Sequence, residues 1–154
     1  MQAEFIGKYF EDINIGDEWV TPARTLTETD LMAYCYLSGS YNPVHTDVEY
    51  CKTTPFGERI FHGMAITSFT SGLVERLSIL EGVVVGLLEI NWKFKAPVKI
   101  GDTIRVVVRI AEKRATKRPD AGLVATARTV LNQRDEVVTE GLTRMLWRRR
   151  PKTS

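Results

Sequence analysis

Two residues in the stretch YLSGSYNPVHTD, residues 36–47, have the types and spacing of half an acid/base site. Ser40 and His45 lie five residues apart, and Asn42-Pro43 between them restricts the backbone, because proline fixes its own φ and biases the residue before it toward extended conformations. An imidazole titrates near neutral pH and can take or give a proton, although a lone histidine here could equally cap a turn or satisfy a buried carbonyl. Ser40 can orient a water through hydrogen bonds or, paired with His45, serve as a nucleophile. Two carboxylates follow closely, Asp47 and Glu49. Their position fits the first turn of a short helix, where acids are favoured and face solvent.

A second group of candidates stands at residues 61–64, FHGM. Gly63 falls where a long uncharged stretch begins, so its N–H is one of the unpaired donors at a helix start and is suited to receive a developing oxyanion. A glycine there also lets a ligand approach the backbone, and it serves equally as a hinge between loop and helix. His62 is tempting as a second imidazole for chemistry. Ser71, nine residues after His62, reads by itself as a small residue that permits close packing. Tyr41 and Asn42 shape the loop.

These residues need a scaffold, and the pattern of apolar positions supplies one. Residues 17–22 could form a short strand. Thr27 with Asp30 three residues on makes an N-terminal capping box for ETDLMAYCYLS, which Gly39 stops. DVEYCKT has room for two helical turns at most, and TPFGERIF is irregular around Pro55 and Gly57. HGMAITSFTSGLVERLSIL follows, about 28 Å of helix at about 1.5 Å per residue. Its first two-thirds carry no charge on any face, which predicts burial on most sides. Four strand-like segments come last: VVVGLLEINWKF, DTIRVVVRIAEKR, GLVATARTVLN and EVVTEGLTRMLWR. Gly101-Asp102, Pro119-Asp120 with Gly122, and Arg134-Asp135 mark the turns between them. One buried helix followed by long antiparallel strands predicts an α+β layer in which a curved sheet wraps that helix.

The chain has 154 residues, 44% of them apolar, and a formal net charge of +2. That balance fits one domain over residues 1–150 and argues against disorder and against a dominating polyanion-binding surface. The basic tail RRRPKTS is read as disordered and too narrow for a nucleic-acid surface. The first residues carry acids and lack a continuous apolar run, no later run is long enough to span a bilayer, and a cytoplasmic protein is expected. Cys35 and Cys51 match no zinc or redox spacing and read as buried free thiols. Lys93, Lys95, Lys99 and Arg59 could meet phosphates or simply solvate a strand face.

YLSGSYNPVHTD, FGERIFHGM and FKAPVKIGDTI, in this order and at similar separations, resemble the three signature stretches of the MaoC-like dehydratase family, which includes the R-specific enoyl-CoA hydratases. The resemblance covers roughly residues 8–148. It implies a hot-dog fold, assembly into at least a homodimer, and active sites near the subunit interface. The implied reaction is reversible addition of water to the C2–C3 double bond of a trans-2-enoyl-CoA, with coenzyme A as part of the substrate and no further cofactor or metal.

The family's first stretch reads Gly-Asp-x-Asn-Pro-x-His, so His45 falls on the catalytic histidine, Asn42 and Pro43 match, and Ser40 stands where the family has aspartate. Gly63 takes the place of the oxyanion donor and Ser71 that of a serine bonded to the aspartate. Asn42, His62 and Met64 are the candidates for binding the substrate, His62 reading as structural in the family. Loss of a positioned acid/base group costs about 10²–10⁴ in rate. Ser40 is therefore consistent with an engineered, inactive variant, with a natural relative of different chemistry, or with a site in which another carboxylate substitutes. A thioesterase using Ser40 and His45, or a non-catalytic acyl-CoA binder, are the alternatives.

Overall fold

The computed structural model describes residues 7–151. A single 3-10 turn, Phe10–Asp12, is followed by β1 (Glu18–Val20), β2 (Arg24–Thr25), α1 (Glu28–Ser38), α2 (Pro43–Thr46), α3 (Val48–Lys52) and α4 (Gly63–Glu75). The second half is β3 (Val84–Phe94), β4 (Thr103–Ala115), β5 (Ala121–Leu131) and β6 (Val137–Arg148).

The α+β class expected from the pattern is what forms. The strands make an antiparallel sheet in the order β1-β4-β5-β6-β3, with β2 also on β4. Each of the four long strands lies within about a residue of its apolar segment, since alternation fixes which face is buried and a slip of one residue would turn every side chain over. Gly101 and Asp135 turn the chain with φ of +89° and +63°. Gly122 is no turn residue: it lies in β5 against the Phe10 ring, where a Cβ would come within 2.3 Å of Phe10 Cε2.

Ala65, Ile66, Leu73 and Val74 of α4 pack into one core with Val106, Val108 and Ile110 of β4, Val124 and Val130 of β5, and Met145 and Trp147 of β6. The helix ends at Glu75, five residues short of the expected stretch, because Leu77 and Ser78 donate to carbonyls three residues back and Ser78 turns left-handed at φ +56°. It is also less buried than its lack of charge predicts: Met64, Ser68, Ser71 and Gly72 are exposed. Absence of charge marks a face that avoids water, and within one chain that face is left uncovered.

α1 is as read, with Thr27 and Asp30 closing the capping box and Gly39 at φ +69° ending it. α2 was not expected; Pro43 at its first position and the Asn42 side chain, which accepts from Val44 N, start a helix too short to show periodicity. Cys35 and Cys51 are buried free thiols. Of the basic tail, Arg149 and Arg150 are ordered through Glu11 (3.3 Å) and Asp12 (2.5 Å), because acids of the 3-10 turn face them; residues 152–154 lie outside the described residues. Among the described residues no helix is long and apolar enough to cross a membrane.

Candidate active site

α2 carries His45 to the mouth of a cavity of about 510 Å³ that Gly63 and Met64 of α4 also line, with Phe56, Ile60 and Phe94. The loop between α3 and α4 holds this arrangement. Ile60 N donates to Val44 O and Phe61 N to Val98 O, so the loop is stitched to α2 on one side and to the segment after β3 on the other. Cys51 Sγ donates to Val44 O at 3.2 Å and fixes α2 from beneath.

The imidazoles have opposite tautomers. His45 Nδ1 is 2.8 Å from Ile60 O. A carbonyl only accepts, so Nδ1 carries the proton and Nε2 keeps its lone pair. His62 Nε2 donates to Ser40 O at 3.0 Å, and His62 Nδ1 is buried without a partner. The two rings stack with centroids 3.5 Å apart and planes 23° from parallel, while Tyr34 packs at a tilt against His62. Burial holds His45 below the ordinary imidazole value; the bond to Ile60 O works against this and His62 adds to it. His45 is thus a neutral base with a free nitrogen beside a mostly apolar cavity.

The start of α4 supplies donors. Ala65 N and Ile66 N both bond to His62 O, whereas the N–H groups of Gly63 and Met64 have no acceptor among the described residues. A Cβ on Gly63 would lie 2.8 Å from Cε1 and Cζ of Phe94, so the Phe94 ring rests against the start of α4 in the space that the missing side chain leaves.

Not every residue singled out in the sequence gathers here. Ser40 sits one ring away, tied through its carbonyl to His62, and its hydroxyl shares no hydrogen bond with His45 or with any other described residue. Asn42 caps α2. His62 lies beneath His45, buried, and holds the loop. Ser71 lines a neighbouring hollow with Thr67, Glu75 and Arg128 and makes no hydrogen bond to Ser40. Asp47 caps α3 through Tyr50 N, and Glu49 pairs with Lys52 on the surface. Lys95, Lys99 and Arg59 are paired with Glu140, Glu58 and Glu28. Among the described residues no group of three or more His, Cys, Asp or Glu side chains is placed to hold a metal.

The family described as MaoC like domain matches residues 12–132. The chain belongs to this MaoC-like family. The MaoC-like chain is 35% identical over 138 residues to an (R)-specific enoyl-CoA hydratase of Rhodospirillum rubrum, covering 90% of each. It is 40% identical to Protein MaoC of Klebsiella aerogenes over 71% of its own length, but spans only 32% of that longer protein. A solved structure of a monoamine oxidase regulatory protein from Archaeoglobus fulgius superposes with a TM-score of 0.88 at 37% identity, covering 94% of this chain and 97% of that one. Rv0216 of Mycobacterium tuberculosis, a double hotdog fold, superposes with a TM-score of 0.83 at 19% identity, covering 96% of this chain and 46% of that one. The MaoC-like chain accordingly has the hot-dog fold.

Proposed function

We propose that the protein adds water reversibly to the C2–C3 double bond of a trans-2-enoyl-CoA, giving the (R)-3-hydroxyacyl-CoA. The observation that carries this is the His45 tautomer: its bond to Ile60 O leaves Nε2 unprotonated at the wall of a cavity that two unpaired helix N–H groups also reach. His45 Nε2 takes a proton from water as its oxygen bonds to C3. The electron pair of the double bond moves toward the thioester, whose oxygen is received by the N–H of Gly63. The proton on His45 then passes to C2, so the elements of water are added and nothing is left over. Ser40 takes the water-orienting role by the family resemblance alone: His62 holds its carbonyl, it does not line the cavity, and a hydroxyl cannot share the proton as a carboxylate would.

The same reading gives the other side chains their parts. Met64 and Phe94 border the acyl group, Asn42 shapes the loop, Ser71 adds a hydroxyl, and coenzyme A of the substrate is the only cofactor. Hydrolysis is disfavoured because Ser40 Oγ and His45 form no hydrogen-bonded pair. We further infer a homodimer in the cytoplasm. In support of the dimer, β3 is a sheet edge, its Val84, Val85, Leu87, Leu88 and Ile90 are exposed, and the uncharged face of α4 is bare. An unpaired apolar edge of this length is a ready template for a second strand.

The test is incubation with crotonyl-CoA, with the product resolved by chiral chromatography and free thiol followed in parallel. (R)-3-hydroxybutyryl-CoA without thiol release is expected; thiol release or the (S) product would sink the proposal.

A further inference from the structure

His62 is joined to three separate parts of the site. It immediately precedes the first turn of α4, and its carbonyl takes the N–H groups of Ala65 and Ile66, so its backbone places the free N–H groups of Gly63 and Met64. Its Nε2 donates to Ser40 O at 3.0 Å. Its ring lies face to face with His45, 3.5 Å between centroids and 23° between planes. Tyr34 packs against it with centroids 4.9 Å apart, and only 7% of the residue is exposed. His62 is thus held on several sides, which makes it a firm surface for a neighbour.

His45 has less support of its own. It stands on a helix of four residues, none of them buried. Its one side-chain hydrogen bond, from Nδ1 to Ile60 O at 2.8 Å, sets the direction of an N–H and leaves the ring free to turn about that line. A flat ring against its face removes the turn. Bond and stack together fix the plane of the imidazole, and with it the place of Nε2 at the cavity wall. His62 also bears a cost in this arrangement, since its Nδ1 is buried and meets no donor among the described residues.

We infer that His62 is a positioning residue for the hydration: the face of its ring holds the His45 imidazole in its reacting orientation, and this contact, more than the clasp on Ser40 O, is what the reaction requires of it. The inference rests on the reading of His45 as the base.

Two substitutions take the two contacts apart. His62→Gln keeps an amide N–H for Ser40 O and loses the ring; His62→Phe keeps a ring against His45 and loses the donor. With crotonyl-CoA, kcat should fall by about 10²-fold in His62→Gln, the cost of a misplacement of about 1 Å, and only a few-fold in His62→Phe, with KM little changed in both. The chain has 2 histidines, so His45 is the sole imidazole of either variant and its titration and tautomer can be followed by nitrogen NMR of labelled protein. Burial is the largest cause of its lowered value and the ring of His62→Phe preserves it, so there His45 should keep its proton on Nδ1 and titrate below an ordinary imidazole. In His62→Gln the titration should move up toward the ordinary value and the tautomers should mix, as water reaches the uncovered face.

The opposite order, His62→Phe slower than His62→Gln, assigns His62 to the Ser40 clasp alone and overturns the inference, as do equal rates in the two variants. Should His62→Phe not fold, a His62→Gln protein that keeps the wild-type titration and tautomer overturns it alone. A wild type that hydrates no enoyl thioester sinks the hydratase reading, while the NMR order of the variants still decides whether the stack holds His45.

Discussion

Replacing His45 by Gln separates its titration from its structural bond. The glutamine amide still has a donor for Ile60 O, so the carbonyl need not be orphaned and the fold should lose no more than about 1 kcal/mol, the net worth of one neutral hydrogen bond. The lone pair at Nε2 has no replacement, and hydration should fall by about 10²–10⁴. The pH dependence carries the sharper test. Burial and the adjacent His62 hold His45 below its ordinary value. In the wild type kcat/KM should therefore climb about tenfold per pH unit at acid pH and level off below about 6.5, where a free imidazole would still be titrating. Stability follows the same group. Between the folded and unfolded values the unfolded chain holds more protons, so stability rises with pH across that window, is complete above the unfolded value, and is lost as pH falls through the folded value. His45→Gln should flatten both profiles at acid pH. Stopped-flow loss of enoyl thioester absorbance gives the rates and thermal melts give the stabilities. An inflection in kcat/KM clearly above about 6.5, or a Gln variant as fast as the wild type, would refute the role of His45 as neutral base.

Three further outcomes are expected. His62→Ala removes the donor to Ser40 O and the ring beneath His45; a melt should show a loss of about 1–3 kcal/mol, with hydration falling as the loop loosens. Gly63→Ala pushes its Cβ against Phe94, whose ring is 51% exposed and can swing into the cavity; kcat/KM should drop by up to about 10²-fold with little change in melting, and Phe94→Ala in the same chain should restore part of it. Leu88→Glu puts a charge on the exposed apolar edge of β3 and should shift the protein from dimer to monomer in sedimentation velocity.

The layer of strands was legible because its rule is local: alternation and turn residues bound each of β3 to β6 to within about a residue. The capping box of α1 was equally plain. α2 was not, because four residues started by Pro43 show no period. The exposed face of α4 was hidden since Ser68, Ser71 and Gly72 suit a buried helix contact as well as a surface awaiting a partner. In the site, His45, Gly63 and Met64 could be named from residue type and resemblance, but the stacking of His45 on His62, seventeen residues apart, depends on the long-range stitch of Ile60 and Phe61 to Val44 and Val98. The burial of Arg128 in β5 escaped notice because an arginine inside GLVATARTVLN passes for an outward polar residue. Counting the period from Val130 would have placed it inward, which is the signal that was available.

The most direct test of the account is hydration of crotonyl-CoA by the wild type and by Ser40→Asp at equal concentration, with free thiol monitored. The account predicts the same (R) product from both without thiol release, and a rate for Ser40→Asp higher by at least about 10²-fold, since a carboxylate at that place can share the proton that a hydroxyl cannot. Inactivity of both, or a wild type faster than the variant, would contradict it and assign Ser40 to different chemistry.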